Sequence, residues 1–163
     1  MKNFLVEGSK ELSGSVTIGG SKNAALPLIA ASLLTNEKTT FTNVPQISDI
    51  QKIIKILEDL NVKTSFENHR LEIDPTNLKN ARLDGPYVCN MRASILLAGP
   101  LLARFGEIDM AYPGGCVLGK RPIDTHVLAF EKLGAEMVEN GNKIHMKADN
   151  LKGAKVTLSE ASV

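Results

Sequence analysis

The sequence has no tryptophan and only two tyrosines and five phenylalanines, so it offers little material for stacking on nucleic-acid bases. Its 19 basic and 18 acidic residues nearly cancel, which argues against an extended basic nucleic-acid binder. The longest apolar stretches, 24–34 and 93–103, are eleven residues each and contain Pro27 and Pro100. Neither can cross a bilayer core about 30 Å thick. We therefore expect no nucleic-acid partner and no membrane partner.

Cysteine is scarce as well. The chain has two cysteines, Cys89 and Cys116, which fits a reducing compartment. The apolar run at 4–6 is stopped at once by Glu7, far short of the apolar region of a signal peptide. With 163 residues and 43% hydrophobic residues, the chain can bury a core without disulfides. These features predict a soluble cytoplasmic protein, and the three histidines show no metal-ligand spacing.

The chain contains an internal repeat. Three segments recur 73 positions later in one register: 57–60 as 130–133, 71–74 as 144–147, and 78–81 as 151–154. The apolar segment 25–34 matches 94–103 at an offset of 69, so the second copy has gained four residues. The insertion falls around 113–116, and a loop added to one copy of a repeat is a reasonable place to look for function.

The first copy is typical of a mixed α/β unit. Apolar residues at helical spacing predict a helix that begins with a capping box at Ser48 and Gln51 and runs to about Asn61. Two short β-branched runs follow, and we expect them to form a hairpin that turns through 67–69. A further strand, at 15–18, leads into the unit.

The second copy predicts the same order of elements. We expect a buried helix over 92–105 ended by Gly106, then a strand over 107–111. A helix over about 124–133 and a hairpin turning at Asn140-Gly141 complete the unit. Residues 155–158 then match 15–18 at an offset of 140, as if a third copy were beginning. We therefore expect the chain to be a fragment of a longer protein.

Three motifs carry a resemblance to a known family. They are GGSKNAA at 19–25, MRAS at 91–94, and PGGCVLGKRPIDTH at 113–126. Their order and spacing resemble those of the UDP-N-acetylglucosamine enolpyruvyl transferases, and the resemblance covers essentially the whole chain. The Gly-Gly-Cys loop followed by Arg-Pro is highly specific, whereas the Ser-Lys-Asn stretch alone would be a weak signal.

The resemblance implies an α/β fold, an inside-out barrel built from repeated βαβαββ units, of which this chain would hold about two and the start of a third. It implies that residues 1–21 form a strand segment of a second, mostly absent domain, and that 22–163 form an incomplete first domain. The implied substrates are phosphoenolpyruvate and UDP-N-acetylglucosamine, with no metal or organic cofactor. The missing domain would supply the remaining catalytic groups.

Cations precede the first helix of each unit. Lys22 and Asn23 lie where a glycine turn enters a helix, whose free N–H groups and positive end favour an anion, and Arg92 aligns with Asn23 in the repeat. On sequence alone, a solvated lysine and a surface arginine are the more ordinary interpretations. The resemblance implies instead that Lys22 and Asn23 contact the substrates, that Lys22 takes part in catalysis, and that Arg92 lies in the substrate site.

Cys116 lies in a glycine loop close to Lys120 and Arg121, a setting that lowers the pKa of a thiol. Inert burial is the commoner fate of a free cysteine, and Cys89, beside an apolar helix, is expected to be such a structural thiol. By resemblance, Cys116 is the general acid and the residue that fosfomycin alkylates.

The residues after this loop are implied to hold the nucleotide. Asp124 is also placed to cap a helix, which would explain it without a ligand. Glu160 stands where some relatives carry a basic residue, which weakens a phosphate role for that position. By resemblance, the uridine and diphosphate contacts are Arg121, Pro122, Ile123, Asp124, Thr125, Ser162 and Val163.

Two other functions stay open at this point. A 5-enolpyruvylshikimate-3-phosphate synthase would share the fold and chemistry, but its site does not use the Gly-Gly-Cys loop. A non-catalytic nucleotide-sugar binding module or repeat scaffold would bind UDP-N-acetylglucosamine without phosphoenolpyruvate chemistry.

Overall fold

The computed structural model describes residues 3–8, 11–114 and 122–158. The helices are α1 (Lys22–Ala31), α2 (Ser48–Asp59), α3 (Pro86–Cys89), α4 (Ala98–Phe105) and α5 (Asp124–Lys132), with 3-10 segments at Ser32–Leu34 and Arg92–Leu97. The strands are β1 (Thr39–Phe41), β2 (Lys63–Glu67), β3 (Arg70–Asp74), β4 (Arg82–Leu83), β5 (Glu107–Ala111), β6 (Glu136–Asn140) and β7 (Lys143–Lys147).

The repeat predicted from the sequence is confirmed in the sheet topology. The first sheet has the order β1-β3-β2, and all its pairs are antiparallel. The second sheet has the order β4-β5-β7-β6, in which β5, β7 and β6 repeat the arrangement of β1, β3 and β2. Among residues 3–8, 11–114 and 122–158, only the second sheet carries an additional strand, β4, which pairs with β5 in parallel.

The match extends to the ends of the helices. Two residues beyond the end of α2 and of α5 stands a residue with a left-handed backbone, Asn61 (φ 64°) and Gly134 (φ 96°) respectively. In each case the next N–H closes the helix on a carbonyl five residues back, Val62 to Leu57 at 3.0 Å and Ala135 to Phe130 at 2.9 Å. This is the Schellman arrangement. Helix α2 therefore ends at Asp59, slightly earlier than expected.

The core lies between the helices and one face of each sheet. Alternation along the strands buries Leu71 and Ile73 on β3, and Ile144 and Met146 on β7. Arg104 on α4 links the two units, because its Nη1 donates to the carbonyls of Leu33 (2.7 Å) and Thr35 (2.8 Å). These bonds satisfy carbonyls at the end of the first unit's helical segment.

Four local expectations need correction. Helix α2 has Ile47 at its N-cap and no side-chain cap hydrogen bond, so the capping box at Ser48 and Gln51 does not form. Asp124 likewise makes no cap bond and is the first residue of α5. The 92–105 helix is a 3-10 segment followed by α4, which ends at Gly106 in the left-handed conformation, as expected. The second hairpin turns at 141–142, one residue later than predicted.

The segments expected to lead into the first and third units form no strand. Residues 15–18 and 155–158 have no regular secondary structure, and Val16 and Ile18 are about four-fifths exposed. A strand exists only when a neighbour accepts its backbone hydrogen bonds, and these segments have no such neighbour among the residues described. Within the same residues, no helix is long and apolar enough to cross a membrane.

Candidate functional site

The site begins at the start of α1. Ser21 precedes the helix in an extended conformation, and Lys22 is the first helical residue. No acidic residue occupies the first turn of α1, so nothing on this helix neutralises the positive end of its dipole. The side chain of Lys22 is 48% exposed, which leaves its ammonium open to a ligand.

In the first unit, the starts of the two helices meet. Lys22 Nζ donates to Asp49 Oδ2 at 3.0 Å, and Asp49 lies in the first turn of α2. The carboxylate is placed favourably there, because an anion stabilises the positive end of a helix. Helices α1 and α2 are in contact, and both bury apolar side chains in the core, among them Ile29 and Ile50. The ion pair therefore joins two fixed helix ends.

In the second unit, the corresponding helix starts meet in the same way. Arg92 opens the 3-10 segment that precedes α4, and its Nη2 donates to the carbonyl of Pro122, just before α5. Pro122 stands 73 positions after Asp49, so the two acceptors are equivalent in the repeat. Each unit thus holds a cation at its first helix with an acceptor at the start of its second.

Lys52, a lysine on α2, connects the two junctions. Lys52 lies one turn after Asp49, and its Nζ approaches the carbonyl of Asn90 at 3.4 Å. Asn90 is two residues before Arg92 in the chain. The first turns of α2 therefore contact Lys22 on one side and the segment leading to Arg92 on the other.

His126, on the first turn of α5, lies beside Arg92. Burial lowers the pKa of His126 below its ordinary 6.5, and the positive charge of Arg92 lowers it further. The Nδ1 atom is buried and has no hydrogen-bond partner among the residues described. The imidazole is accordingly held neutral near pH 7, next to a fixed guanidinium.

Two glycines allow these junctions to close. A Cβ at Gly20 would lie 1.7 Å from the carbonyl oxygen of Asn43, and one at Gly114 would lie 1.9 Å from that of Cys89. No side chain fits at either position, because the obstructing atoms belong to the backbone. The turn before Lys22 and the root of the Gly-Gly-Cys loop are therefore both packed against neighbouring main chain.

The remaining predicted site residues differ in their exposure, and several lie outside the described residues. Asn23 is exposed at the start of α1, and Asp124 is exposed at the start of α5 beside the half-buried Thr125. Ile123 is 1% exposed, so its side chain packs in the core and only its backbone could meet a ligand. The other predicted site residues lie outside the described residues: Cys116, Arg121, Ser162 and Val163, and with them Lys120 of the same loop.

Cys89 is exposed, so its assignment as a buried structural thiol is wrong. Sequence reasoning also missed Asp49, Lys52 and His126, which lie in this region. The repeat contained a signal for Asp49, because it occupies the same position as Pro122 in the predicted nucleotide stretch. Nothing in the sequence marked Lys52, whose contact joins residues 38 positions apart.

Known proteins resemble this chain over its whole length. A curated UDP-N-acetylglucosamine 1-carboxyvinyltransferase from Borrelia garinii subsp. bavariensis is 44% identical over 163 residues, which is 100% of this chain and 38% of the relative. One from Campylobacter fetus subsp. fetus is 45% identical over 159 residues, 97% of this chain and 38% of the relative. The chain thus spans 38% of the length of these relatives.

Solved structures support the fold. The enolpyruvyl transferase NikO from Streptomyces tendae superposes with a TM-score of 0.74 at 19% identity, over 89% of this chain and 32% of that one. An EPSP synthase from Acinetobacter baumannii superposes with a TM-score of 0.69 at 22% identity, over 91% of this chain and 35% of that one. The expected enolpyruvyl transferase fold is confirmed.

The family profile of EPSP synthase (3-phosphoshikimate 1-carboxyvinyltransferase) matches residues 6–163, nearly the whole chain. Together with the duplicated α/β units and the structural neighbours, this match establishes that the chain belongs to the EPSP synthase family.

Proposed function

We propose that this chain is the N-terminal part of a UDP-N-acetylglucosamine 1-carboxyvinyltransferase. The complete protein would transfer the enolpyruvyl group of phosphoenolpyruvate to the 3-hydroxyl of UDP-N-acetylglucosamine and release phosphate, at the first committed step of peptidoglycan synthesis. The observation that carries the proposal is the pair of equivalent helix junctions, one in each unit, that hold Lys22 and Arg92. Curated relatives of that name, 44% identical over the whole chain, favour this reaction.

The charge of the substrates explains why such a surface is needed. Phosphoenolpyruvate and the nucleotide diphosphate are both polyanions, and their mutual repulsion opposes binding in reacting geometry. Fixed cations offset that repulsion at no reorganisation cost when charge develops. Lys22, Lys52 and Arg92 place positive charge locally, although the chain as a whole carries a formal net charge of only +1.

The reaction also needs a proton donor and a nucleotide site. The sugar hydroxyl loses its proton and adds to C2 of phosphoenolpyruvate while C3 gains a proton. The tetrahedral intermediate then loses a proton from C3 together with phosphate, which restores the double bond. In this proposal Cys116 gives the proton to C3, and Lys22, Asn23 and Arg92 hold the substrates. The nucleotide contacts would be Arg121, Pro122, Ile123, Asp124, Thr125, Ser162 and Val163.

The architecture of the complete protein is part of the proposal. Residues 22–163 would form two units and the beginning of a third in an inside-out barrel domain, and residues 1–21 would belong to a second domain. The exposure of Val16 and Ile18 supports an assignment of that segment to another body of the protein. Helix α5, which contains no fully buried residue, is the surface that a further unit would cover.

Phosphate release from phosphoenolpyruvate plus UDP-N-acetylglucosamine tests the activity. We expect turnover from the full-length protein and little or none from the 163-residue chain, because further catalytic groups would lie in the missing domain. Shikimate 3-phosphate serves as the competing acceptor, since the family profile is that of EPSP synthase. Turnover with shikimate 3-phosphate alone would replace the proposed substrate, and binding of the nucleotide sugar without phosphate release would indicate a binding module.

Fosfomycin provides an independent test of Cys116. We expect intact-mass analysis to show one covalent adduct, absent from Cys116→Ser and retained in Cys89→Ser, with a rate that changes when UDP-N-acetylglucosamine is present. The second variant is a necessary control, because Cys89 is also exposed. An adduct on Cys89, or a rate indifferent to the nucleotide, would remove Cys116 from the proposed site.

A further inference from the structure

We propose that Asp49 is the positioning residue for Lys22, so that the carboxylate fixes the ammonium for phosphoenolpyruvate. This inference rests on the proposed function. It begins from the 3.0 Å contact between Lys22 Nζ and Asp49 Oδ2, which joins residues 27 positions apart across α1 and α2.

The repeat indicates that the contact between Lys22 and Asp49 is more than an ordinary surface ion pair. Each unit ties a cation at the start of its first helix to an acceptor at the start of its second, as Lys22 to Asp49 and as Arg92 to the carbonyl of Pro122. The second unit uses the backbone for this purpose. The first unit uses a side chain, so only there can a single substitution remove the acceptor.

The local electrostatics explain why Lys22 needs an anchor. The ammonium lies at the positive end of α1, where a cation is unfavourable, and the first turn of that helix offers no acidic residue. A lysine side chain is also long and has several freely rotating bonds, so an unanchored ammonium would sample many positions. Asp49 is only 33% exposed and is stabilised by the start of α2, which makes it a fixed reference point.

The same geometry leaves Lys22 able to bind an anion. An ammonium has three donors, and the contact with Asp49 uses one of them. Nearly half of the Lys22 side chain is exposed, whereas the carboxylate faces it from α2. Asp49 thus orients the charge without occupying all of its hydrogen-bonding capacity.

The two possible roles of Asp49 predict opposite effects when its negative charge is removed. Removing a negative charge near a site for polyanions should strengthen their binding if Asp49 contributes only its charge. If Asp49 positions Lys22, the same removal weakens the reaction, because a displacement of about 1 Å can cost up to about a hundredfold in rate. Asp49→Asn separates the two cases, since it keeps the shape and removes the charge.

The experiment uses steady-state kinetics of the full-length protein with phosphoenolpyruvate varied and UDP-N-acetylglucosamine saturating. We expect Asp49→Asn to lower kcat/KM for phosphoenolpyruvate about tenfold or more. Asp49→Glu, which keeps the charge, should recover a substantial part of that loss. Glu58→Gln is the matched control, because it removes one charge and one lysine ion pair from the same helix at its other end, and its kinetics should not change.

A double-mutant comparison shows whether Asp49 acts through Lys22. In a Lys22→Gln background, Asp49→Asn should change the dissociation constant for phosphoenolpyruvate, measured by calorimetry, less than twofold. Thermal unfolding of every variant identifies any that fail to fold. A further loss of binding in the Lys22→Gln background would mean that Asp49 acts by another route and would overturn the proposal.

The outcomes distinguish this inference from the proposed function. Unchanged or improved kcat/KM in Asp49→Asn, with an active wild type, overturns the positioning role alone. Equal loss in Asp49→Asn and Asp49→Glu with lowered thermal stability shows a merely structural role and also overturns it. A full-length wild type that releases no phosphate removes the proposed function, and the positioning role with it.

Discussion

The two repeat units share one plan but differ in how completely each is covered. In the first unit, α2 buries five side chains, Ile50, Ile53, Ile54, Ile56 and Leu57. Its equivalent in the second unit, α5, has no fully buried residue. The sheets differ as well, because in the part of the chain that the structure describes the second sheet has the additional parallel strand β4 and the first has none. A repeated sequence therefore sets the elements, while burial depends on which neighbours are present.

The two units also differ in what they contribute to the candidate site. The buried α2 places Asp49 and Lys52 on a packed helix, whereas the more exposed α5 begins at Asp124, eight residues after the inserted segment 113–116 in the sequence. Loops and element ends held by a packed scaffold are common places for substrate contacts. The first unit thus supplies rigidity at the junction, and the second supplies the exposed residues of the predicted nucleotide stretch.

The largest effect is expected from equivalent core truncations in the two helices. Leu57 is fully buried, and Phe130, 73 positions later, is only partly buried. We expect Leu57→Ala to lower the free energy of unfolding of this chain by about 2–5 kcal/mol, and Phe130→Ala by clearly less. Urea denaturation measures both. An equal cost in the chain alone would contradict the contrast, whereas a larger cost of Phe130→Ala in the full-length protein would indicate that a further unit covers α5.

An intermediate effect is expected at the glycines that close the two junctions. Gly20→Ala and Gly114→Ala should each destabilise by about 1–3 kcal/mol, because the new methyl group meets a backbone carbonyl that cannot move aside easily. Gly153→Ala is the control, since no atom lies within 4 Å of a Cβ there. Thermal unfolding of the three variants gives the comparison. A Gly20→Ala variant as stable as Gly153→Ala would show that the turn before Lys22 is not packed as described.

The smallest effects are two pH dependences, one in each unit, and the first of them belongs to the second unit. His126 stands where the first unit has the fully buried Ile53, and its pKa lies below 6.5 because of burial and Arg92. Below pH 6.5 the unfolded chain binds a proton that the folded chain resists, so stability falls as the solution is acidified. We expect the melting temperature to drop less between pH 7.5 and 5.5 in His126→Gln than in the wild type. Equal drops would remove this assignment.

Acid sensitivity below about pH 4.5 should belong to the first unit. Hydrogen bonds to Lys55 and Lys38 respectively lower the pKa values of Glu58 and Glu72 below their ordinary 4.5. The two ionised carboxylates stabilise the folded state above about pH 4.5, and this stabilisation is lost as the pH falls further. The histidine and carboxylate contributions therefore separate into two pH ranges, and Glu58→Gln and Glu72→Gln should affect only the lower one.

The sequence by itself determined the duplicated α/β plan, because hydrophobic periodicity and helix-ending residues act locally. The strand 107–111 and the helix stop at Gly106 were predicted from such signals. Helix starts were predicted less well, since Ser48 and Asp124 had the residue types of caps but their cap bonds do not form. Capping preferences are weak compared with the packing that decides where a helix begins.

Only the tertiary structure decided which charges meet. The contacts of Lys22 with Asp49, Lys52 with Asn90, and Arg92 with Pro122 join residues 27 to 38 positions apart. They depend on how the helices pack, and no local pattern specifies that packing. Strand formation at 15–18 was decided in the same way, because extended backbone with β-branched residues becomes a strand only where a partner accepts its hydrogen bonds.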